Sequence, residues 1–594
     1  MSRISKWGAI VRIGVICGLI AGDLAATMGV AAIKHPDTFT YLGISDSDSV
    51  DPAWSYDTSS HMVILNVYEP LFFYEGTSTE KLIGLAASKV PSRANGLLSA
   101  DGKTYTIPIR KGVKFHDGST MTPEDVRYSL LRFMLLDRDA GPSWMLIEPL
   151  TGEHSTRDEK GVLHPGMWEK ASKAVAVQGD NVVLRLPKPY APLLSILASF
   201  AVVVSKDWVA KNGGWDGTEA TWEKFNNPKK ESSPLHEKAN GTGAFTLQRW
   251  DRRNKEFILE RHDGYWRKPA KLKRVVIKGV NEFSTRKLML AAGDADAIYA
   301  DRPFYTQLEG IPGVVLLDDQ PMMDMNPVVY FTFKVNASGN PNIGSGKLDG
   351  QGVPSDFFAD INIRKGFAYA MDYPGFIKDV FRGKASQATG TIPKTLPGNN
   401  PRQETHRLDL ARAAEHFKKA HGGQVWEKGF RFTMAYNSGN ATRQALCQIL
   451  KSKIESLNPR FQIDVRPMEW PTFLDNYRSS KLPVFTLGWN ADFPDPHSFV
   501  FPLMHSRGDY PTIQSYKSEE ADKLIEAAVM ETSLAKRKEL YAKIQAIEFK
   551  DAPHLVLVDT VRYRTQRSWV KGFFHNPIFP DSPYGSYFYP IWKE

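Results

Sequence analysis

The chain has 594 residues, 42% hydrophobic and 24% charged, with a formal net charge of +9. That length exceeds what one hydrophobic core supports, so the chain divides into more than one unit. Both fractions are those of an ordinary globular protein. Acids and bases are interspersed without a basic tail or arginine run, which argues for a solvated surface and against nucleic-acid binding.

In chain order, Arg3, Lys6 and Arg12 accompany a short apolar run over residues 13–21, and the small residues Val30-Ala31-Ala32 follow. This reads as an export signal over residues 1–32, with Leu24-Ala25-Ala26 a second cleavage site. The run is shorter than the roughly 20 apolar residues of a spanning helix; an uncleaved anchor is the alternative. Bulky Ile16 before Cys17 argues against lipidation there. Cleavage removes three bases and one acid and leaves a chain of about +7, with Cys447 as its single cysteine. An exported protein without a lipid anchor fits a Gram-negative periplasm.

Residues 38–45 have strand character, 46–52 are turn-like, and 59–67 form a helix ending near Pro70. Tyr105, Ile107 and Ile109 alternate with Thr104, Thr106 and Pro108, the period of a half-buried strand. Thr122 caps a helix that runs to Leu136: Pro123 suits its first position, and Glu124 and Asp125 oppose its dipole. Residues 174–177 pair with the strand of Val182, Leu184 and Leu186 across Gly179-Asp180-Asn181. Strands follow at 244–249, 256–261 and 274–280, then a helix at 284–292 and a strand at 296–300. Beyond 304 the pattern alternates, with strands at 328–334, 430–436, 461–466 and 483–488. Helices are expected at 362–371, 407–420, 441–457, 470–479, 518–531 and 534–549, with an exposed loop at 335–356. Strands and helices in two blocks indicate a multi-lobed α/β protein.

Catalytic motifs are sparse. Gly344-Ser345-Gly346-Lys347 fails as a phosphate loop, because Leu348 and Pro341 stand where a metal-binding hydroxyl and a glycine belong. There is no G-x-S-x-G elbow and no H-E-x-x-H pair. His116-Asp117 reads as a turn, and Asp492, Asp495 and His497 are a weak metal set. Residues 488–496 (GWNADFPDP) are the most informative stretch: an apolar strand ends in glycine, then tryptophan, an acid and a Pro-x-Pro loop. Ligands gather beyond the carboxyl ends of strands in open α/β sheets, and a structural loop is the competing reading.

Residues 101–133 (DGKTYTIPIRKGVKFHDGSTMTPEDVRYSLLRF) resemble the signature of extracellular solute-binding protein family 5, the peptide receptors of ABC importers. Asp51-Pro52, Tyr68-Glu69-Pro70-Leu71, Gly241-Thr242-Gly243-Ala244-Phe245, Asp263-Gly264-Tyr265-Trp266, the segment 362–372 and Trp489-Asn490-Ala491-Asp492-Phe493 match in order. The resemblance implies a two-lobed α/β periplasmic binding fold of type II. Lobe 1 would take 33–78, 235–302 and 556–594, with an inserted subdomain at 79–234; lobe 2 would take 303–555. Chain crossings would fall at 296–303 and 554–559.

It also implies a non-enzymatic receptor that closes on a short peptide and delivers it to a membrane permease, as a monomer needing no cofactor, metal or nucleic acid. Asp492 would pair with the peptide α-amino group, and Gly488, Trp489 and Asn490 would line the site. Tyr56, Asp57 and Thr58 would face them, with Trp144 as an aromatic wall. Relatives that carry opines, nickel chelates, haem or oligosaccharides are the alternative, and a periplasmic peptidase is the alternative of another class.

Overall fold

The computed structural model describes residues 31–44, 46–531, 533–579 and 586–594. Most of the expected export signal lies outside these residues. Among them, no helix is long and apolar enough to cross a membrane.

Strand β1 (Thr38–Gly43), fully buried from Tyr41 onward, opens the larger sheet. A separate antiparallel sheet follows, built from β2 (Thr104–Pro108), β3 (Val175–Gln178) and β4 (Asn181–Arg185) in the order β2-β4-β3. The chain re-enters the larger sheet with β5 (Phe245–Asp251), β6 (Glu256–Arg261), β7 (Arg274–Gly279), β8 (Ala297–Ile298) and β9 (Val314–Pro321). A second sheet holds β10 (Asp324–Phe331), β11 (Phe430–Asn437), β12 (Phe461–Met468), β13 (Val484–Asn490) and β14 (His554–Val556), in the order β12-β11-β13-β10-β14. The larger sheet is then completed by β15 (Val558–Arg567), in the order β9-β15-β8-β1-β7-β6-β5.

Two sheets, each covered by helices, make the two lobes. The chain passes between them after Pro321 and again between Val556 and Val558. The first passage lies well beyond the expected 296–303 segment. The half-exposed β9 hydrogen-bonds to β15 in the larger sheet, and its mixed VVLLDDQP sequence carries no strand period to announce it. The ten-residue β15 was also unmarked, because its polar residues are buried by the neighbouring strands rather than by an apolar face. Helices Trp144–Thr151 and Met167–Ala174 were likewise not anticipated. The expected helix after Thr122 spans Pro123–Leu136, with the Thr122–Asp125 capping box formed. Cys447 is buried among apolar side chains, which push its thiol up to about 12, so it is inert packing.

The separated motif segments meet at two buried carboxylates. Asp51 is fully buried and receives both terminal nitrogens of Arg132, at 2.7 and 2.6 Å. Arg132 belongs to helix α2 (Pro123–Leu136); the helix before it, α1 (Thr58–Val67), starts directly after the loop that Asp51 anchors. Burial opposes the Asp51 charge, but Arg132 outweighs it and holds the carboxyl below its usual range. Glu69 accepts from Thr242 at 2.9 Å, Tyr265 at 2.6 Å and the Trp266 indole at 2.9 Å. Gly241 and Gly243 lie against Val67, where a Cβ would meet its backbone atoms at 2.1 and 2.6 Å. Only glycine permits that approach. These residues specify the joint between the sheet, α1 and the loop before it.

Removing one partner of a buried ion pair costs about 3–5 kcal/mol because the other charge stays buried. Arg132→Met is therefore expected to lower stability in urea by about that amount, and Asp51→Leu in the same chain to restore part of it. A single-variant loss below about 1 kcal/mol would remove this pair from its anchoring role.

Candidate functional site

A cavity of about 1260 Å³, counting the part open to solvent, lies between the lobes. The first lobe contributes Tyr56, Asp57, Thr58 and His61; the second contributes Gly488, Trp489, Asn490 and Asp492.

The first-lobe residues are placed by α1. Asp57 caps that helix by accepting from the Ser60 amide at 3.0 Å, and its side chain also accepts from the Trp470 indole of the opposite lobe at 3.2 Å. The cap and the contact use the same Oδ1; Oδ2 is buried without a hydrogen-bond partner. The phenol of Tyr56, just before this cap, crosses the cleft and donates to Asp492 at 2.7 Å. The expected aromatic wall, Trp144, does not line this cavity. It stands behind it in helix α3 (Trp144–Thr151), where its indole donates to the Tyr56 hydroxyl at 3.1 Å and its ring stacks on Phe501 at 4.5 Å. Trp144 thus orients Tyr56 from outside the cavity.

The second-lobe residues sit at the carboxyl end of β13. Gly488 lets the strand pass Asn326, whose side chain a Cβ would meet at 2.7 Å. Trp489 is buried, donates to the Ser498 carbonyl at 2.7 Å, and meets the Tyr56 ring edge-on at 5.4 Å. Asn490 ends the strand opposite Asp324. The Asp492 amide is tied to Ser498 Oγ at 2.9 Å. The acidic cluster seen in the sequence diverges: Asp495 pairs with Arg537 at 2.7 Å and His497 with Glu148 at 2.9 Å, so these side chains do not share one ion.

Asp492 is the electrostatic exception. The residue is 6% exposed, and among the described residues no lysine or arginine pairs with it. Burial pushes its pKa well above the usual carboxylate range; the Tyr56 hydrogen bond opposes this, and the nearby Asp509 charge adds to it. Asp509 lines the same cavity and is pushed up to about 6 by its own burial, against the pull of Arg138. Asp509 carries no local motif in sequence. Neither do Arg138, Arg443 in helix α4 (Ala441–Glu455) or Trp470 and Arg478 in helix α5 (Trp470–Arg478), all of which reach the cavity. Arg443 is braced by Asn437 at 2.7 Å and Asn326 at 3.1 Å. His61 is half-buried in the wall, and desolvation there lowers its pKa to about 4, so it is neutral at pH 7.

The lobes are also tied outside the cavity. Asp48 of the first lobe is fully buried between Lys230 of its own lobe, at 2.6 Å, and Arg478 of the other. Burial opposes its charge, but Arg478 and Lys230 together keep it ionised. Glu148 and His497 form a second buried cross-lobe pair, to which Tyr190 donates at 3.1 Å. The structure is a closed one.

The family model for bacterial extracellular solute-binding proteins, family 5 (middle region), matches residues 84–511. The chain is 25% identical over 575 residues to the dipeptide-binding protein of Escherichia coli, covering 93% of this chain and 94% of that one. It is 23% identical to heme-binding protein A of Haemophilus influenzae, with 92% of each chain covered. Among solved structures, the periplasmic binding protein DppA of Helicobacter pylori, in complex with the peptide STSA, superposes with a TM-score of 0.72 at 21% identity. That match covers 94% of this chain and 98% of that one.

Because its folded pKa is raised, Asp492 contributes stability that is full below the unfolded value of about 3.9 and is lost as pH rises through the folded value. Asp492→Asn, permanently neutral, is expected to raise the urea midpoint of the ligand-free protein at pH 7, with the gain shrinking towards pH 4. An unchanged or lowered midpoint at pH 7 contradicts a carboxylate held without a counter-charge.

Proposed function

The chain belongs to family 5 of the bacterial extracellular solute-binding proteins, and from that premise we propose that it is the exported receptor of an ABC importer, closing on a short peptide whose α-amino group pairs with Asp492. The observation that carries this reading is a buried carboxyl, facing a cleft between two lobes, with no cationic partner among the described residues. A ligand ammonium supplies the missing charge. Arg138 and Arg443 line the same cavity and can receive a carboxylate, so a zwitterion suits the site better than a neutral sugar. Trp489, Tyr56 and Thr58 would wall the first ligand residues, and the strand ends would bond peptide main chain without regard to its sequence.

The family consists of substrate-binding proteins. The adjacent His116 and Asp117 serve as braces: His116 bonds the Gly243 carbonyl at 3.1 Å, and Asp117 accepts from Ser119. The reading carries with it a periplasmic location after loss of residues 1–32, a monomer, and a membrane permease as partner. The lobe limits we adopt follow the sheet pairings, with lobe 2 running from β10 to β14.

Losing one partner of a desolvated charge pair costs about 2–5 kcal/mol, roughly 30- to several-thousand-fold in affinity. Asp492→Ala is expected to weaken binding of a free tripeptide by that factor, and N-acetylation of the peptide to weaken wild-type binding similarly. In Asp492→Ala the acetyl group should matter much less, since both changes remove one interaction. Isothermal titration of both proteins with both peptides decides it: additive penalties contradict the amine anchor. Product formed from the peptide during the titration would instead favour the peptidase.

A further inference from the structure

Away from the ligand cavity, three metal-binding side chains converge across the line where the lobes meet. His154 follows α3 in the first lobe. From the second lobe, His505 caps the carboxyl end of helix α6 (His497–Met504), and Glu526 projects from helix α7 (Glu519–Met530). One donor atom from each lies within 4.8 Å of the others. His154 Nε2 is 3.6 Å and His505 Nε2 3.5 Å from the same Glu526 oxygen. A tetrahedral zinc with bonds of about 2.0–2.1 Å has edges of about 3.3–3.4 Å between its ligand atoms. Two of the three edges are therefore near coordinating distances before any ion arrives, and the imidazole–imidazole edge lies within 4.8 Å. We propose that His154, His505 and Glu526 form a divalent transition-metal site, of the zinc class, that bridges the lobes and stabilises the closed state.

The donor set favours that class. Two imidazoles and one carboxylate suit zinc and its neighbours, whereas magnesium and calcium prefer all-oxygen shells. Three protein ligands leave a fourth position for water. The rings are held in place without metal: Phe501 stacks on His505 at 4.7 Å and meets His154 at 5.3 Å, and the two imidazole centroids are 4.8 Å apart. Access is open as well. The Glu526 side chain is 48% exposed, and His154, Ser506 and Arg507 line a second cavity of about 1220 Å³, counting the part open to solvent, which adjoins the ligand cavity at Arg138 and Asp509. His154 Nδ1 is buried without a hydrogen-bond partner, so its tautomer is free to present Nε2. Coordination by His505 Nε2 places its proton on Nδ1, which now accepts from the Arg507 amide at 3.1 Å. That one hydrogen bond is given up when metal binds.

Because one ligand comes from the first lobe and two from the second, the complete set exists only when the lobes are closed. A metal that binds one state better shifts the equilibrium towards it. The test uses chelator-stripped full-length protein and zinc chloride, with no peptide present. Equilibrium dialysis is expected to find one zinc per chain. His154→Ala and the exposed, fold-tolerant Glu526→Gln should each lower the affinity by at least the ~10–100-fold that losing an outer-shell partner costs. Cobalt(II) should give a tetrahedral visible spectrum that both variants lose. Zinc should also reduce the radius of gyration of the wild type in small-angle scattering, and leave that of His154→Ala unchanged. Zinc binding that is absent, or equal in wild type and both variants, overturns the site. Stoichiometric binding with no change in radius overturns the bridging role. Neither result bears on Asp492 or the peptide, since none of the three side chains reaches that cavity.

Discussion

A carboxyl taken out of water without a counter-charge is unstable unless something supplies one, and Asp492 is held in that condition by both lobes at once. Its amide is fixed by Ser498 in its own lobe, and its oxygen takes a hydrogen bond from Tyr56 in the other. A phenol can share a proton with a carboxyl, but it cannot neutralise a carboxylate. The closed cleft therefore prefers a neutral Asp492 until a cation enters, whereas Asp48, Asp51 and Asp495 are each matched by arginine. Pairing, and not burial, sets Asp492 apart from these three, since all four are buried or nearly so.

The rest of the molecule serves that geometry. The Asp51–Arg132 pair and the hydrogen bonds on Glu69 fix the loop and helix that present Tyr56, and Trp144 locks the phenol from behind. On the other side, β13 delivers Trp489 and Asp492 at its carboxyl end, and the turn after Pro496 brings Ser498 back to hold them. Cross-lobe pairs at Asp48–Arg478 and Glu148–His497 add closure contacts that do not depend on the ligand. Buried pairs of this kind contribute little net stability, because desolvation offsets their attraction. They do make closure specific in register, so the cavity walls meet one way.

Local signals carried much of the architecture. The Thr122 cap with Pro123, the alternation of Tyr105, Ile107 and Ile109, and the amphipathic helix around Leu446 and Leu450 each depend on neighbours a few residues apart. Such elements were readable with small errors at their ends. The W-N-A-D stretch was readable too, because a strand end, an aromatic and an acid lie together in sequence, and Tyr56 followed from its place after Asp51-Pro52. Elements held by distant partners were not: β9 and β15 exist as strands because they pair with each other, and their own residues alternate poorly. Asp509, Arg138 and Arg443 carried no mark either, since nothing within a few residues of them resembles a site. The sequence by itself determined the α/β class and the family resemblance, and placed Asp492 just past a strand end, through periodicities and motifs that act over one or two turns of chain. Only the tertiary structure decided where the chain passes between lobes, that Trp144 braces Tyr56 from behind the cavity, and that Asp492 lacks a counter-charge among the described residues while Asp48, Asp51 and Asp495 are paired. Those facts depend on contacts between residues tens to hundreds of positions apart, where solvent exclusion and charge pairing are settled by packing and not by local order.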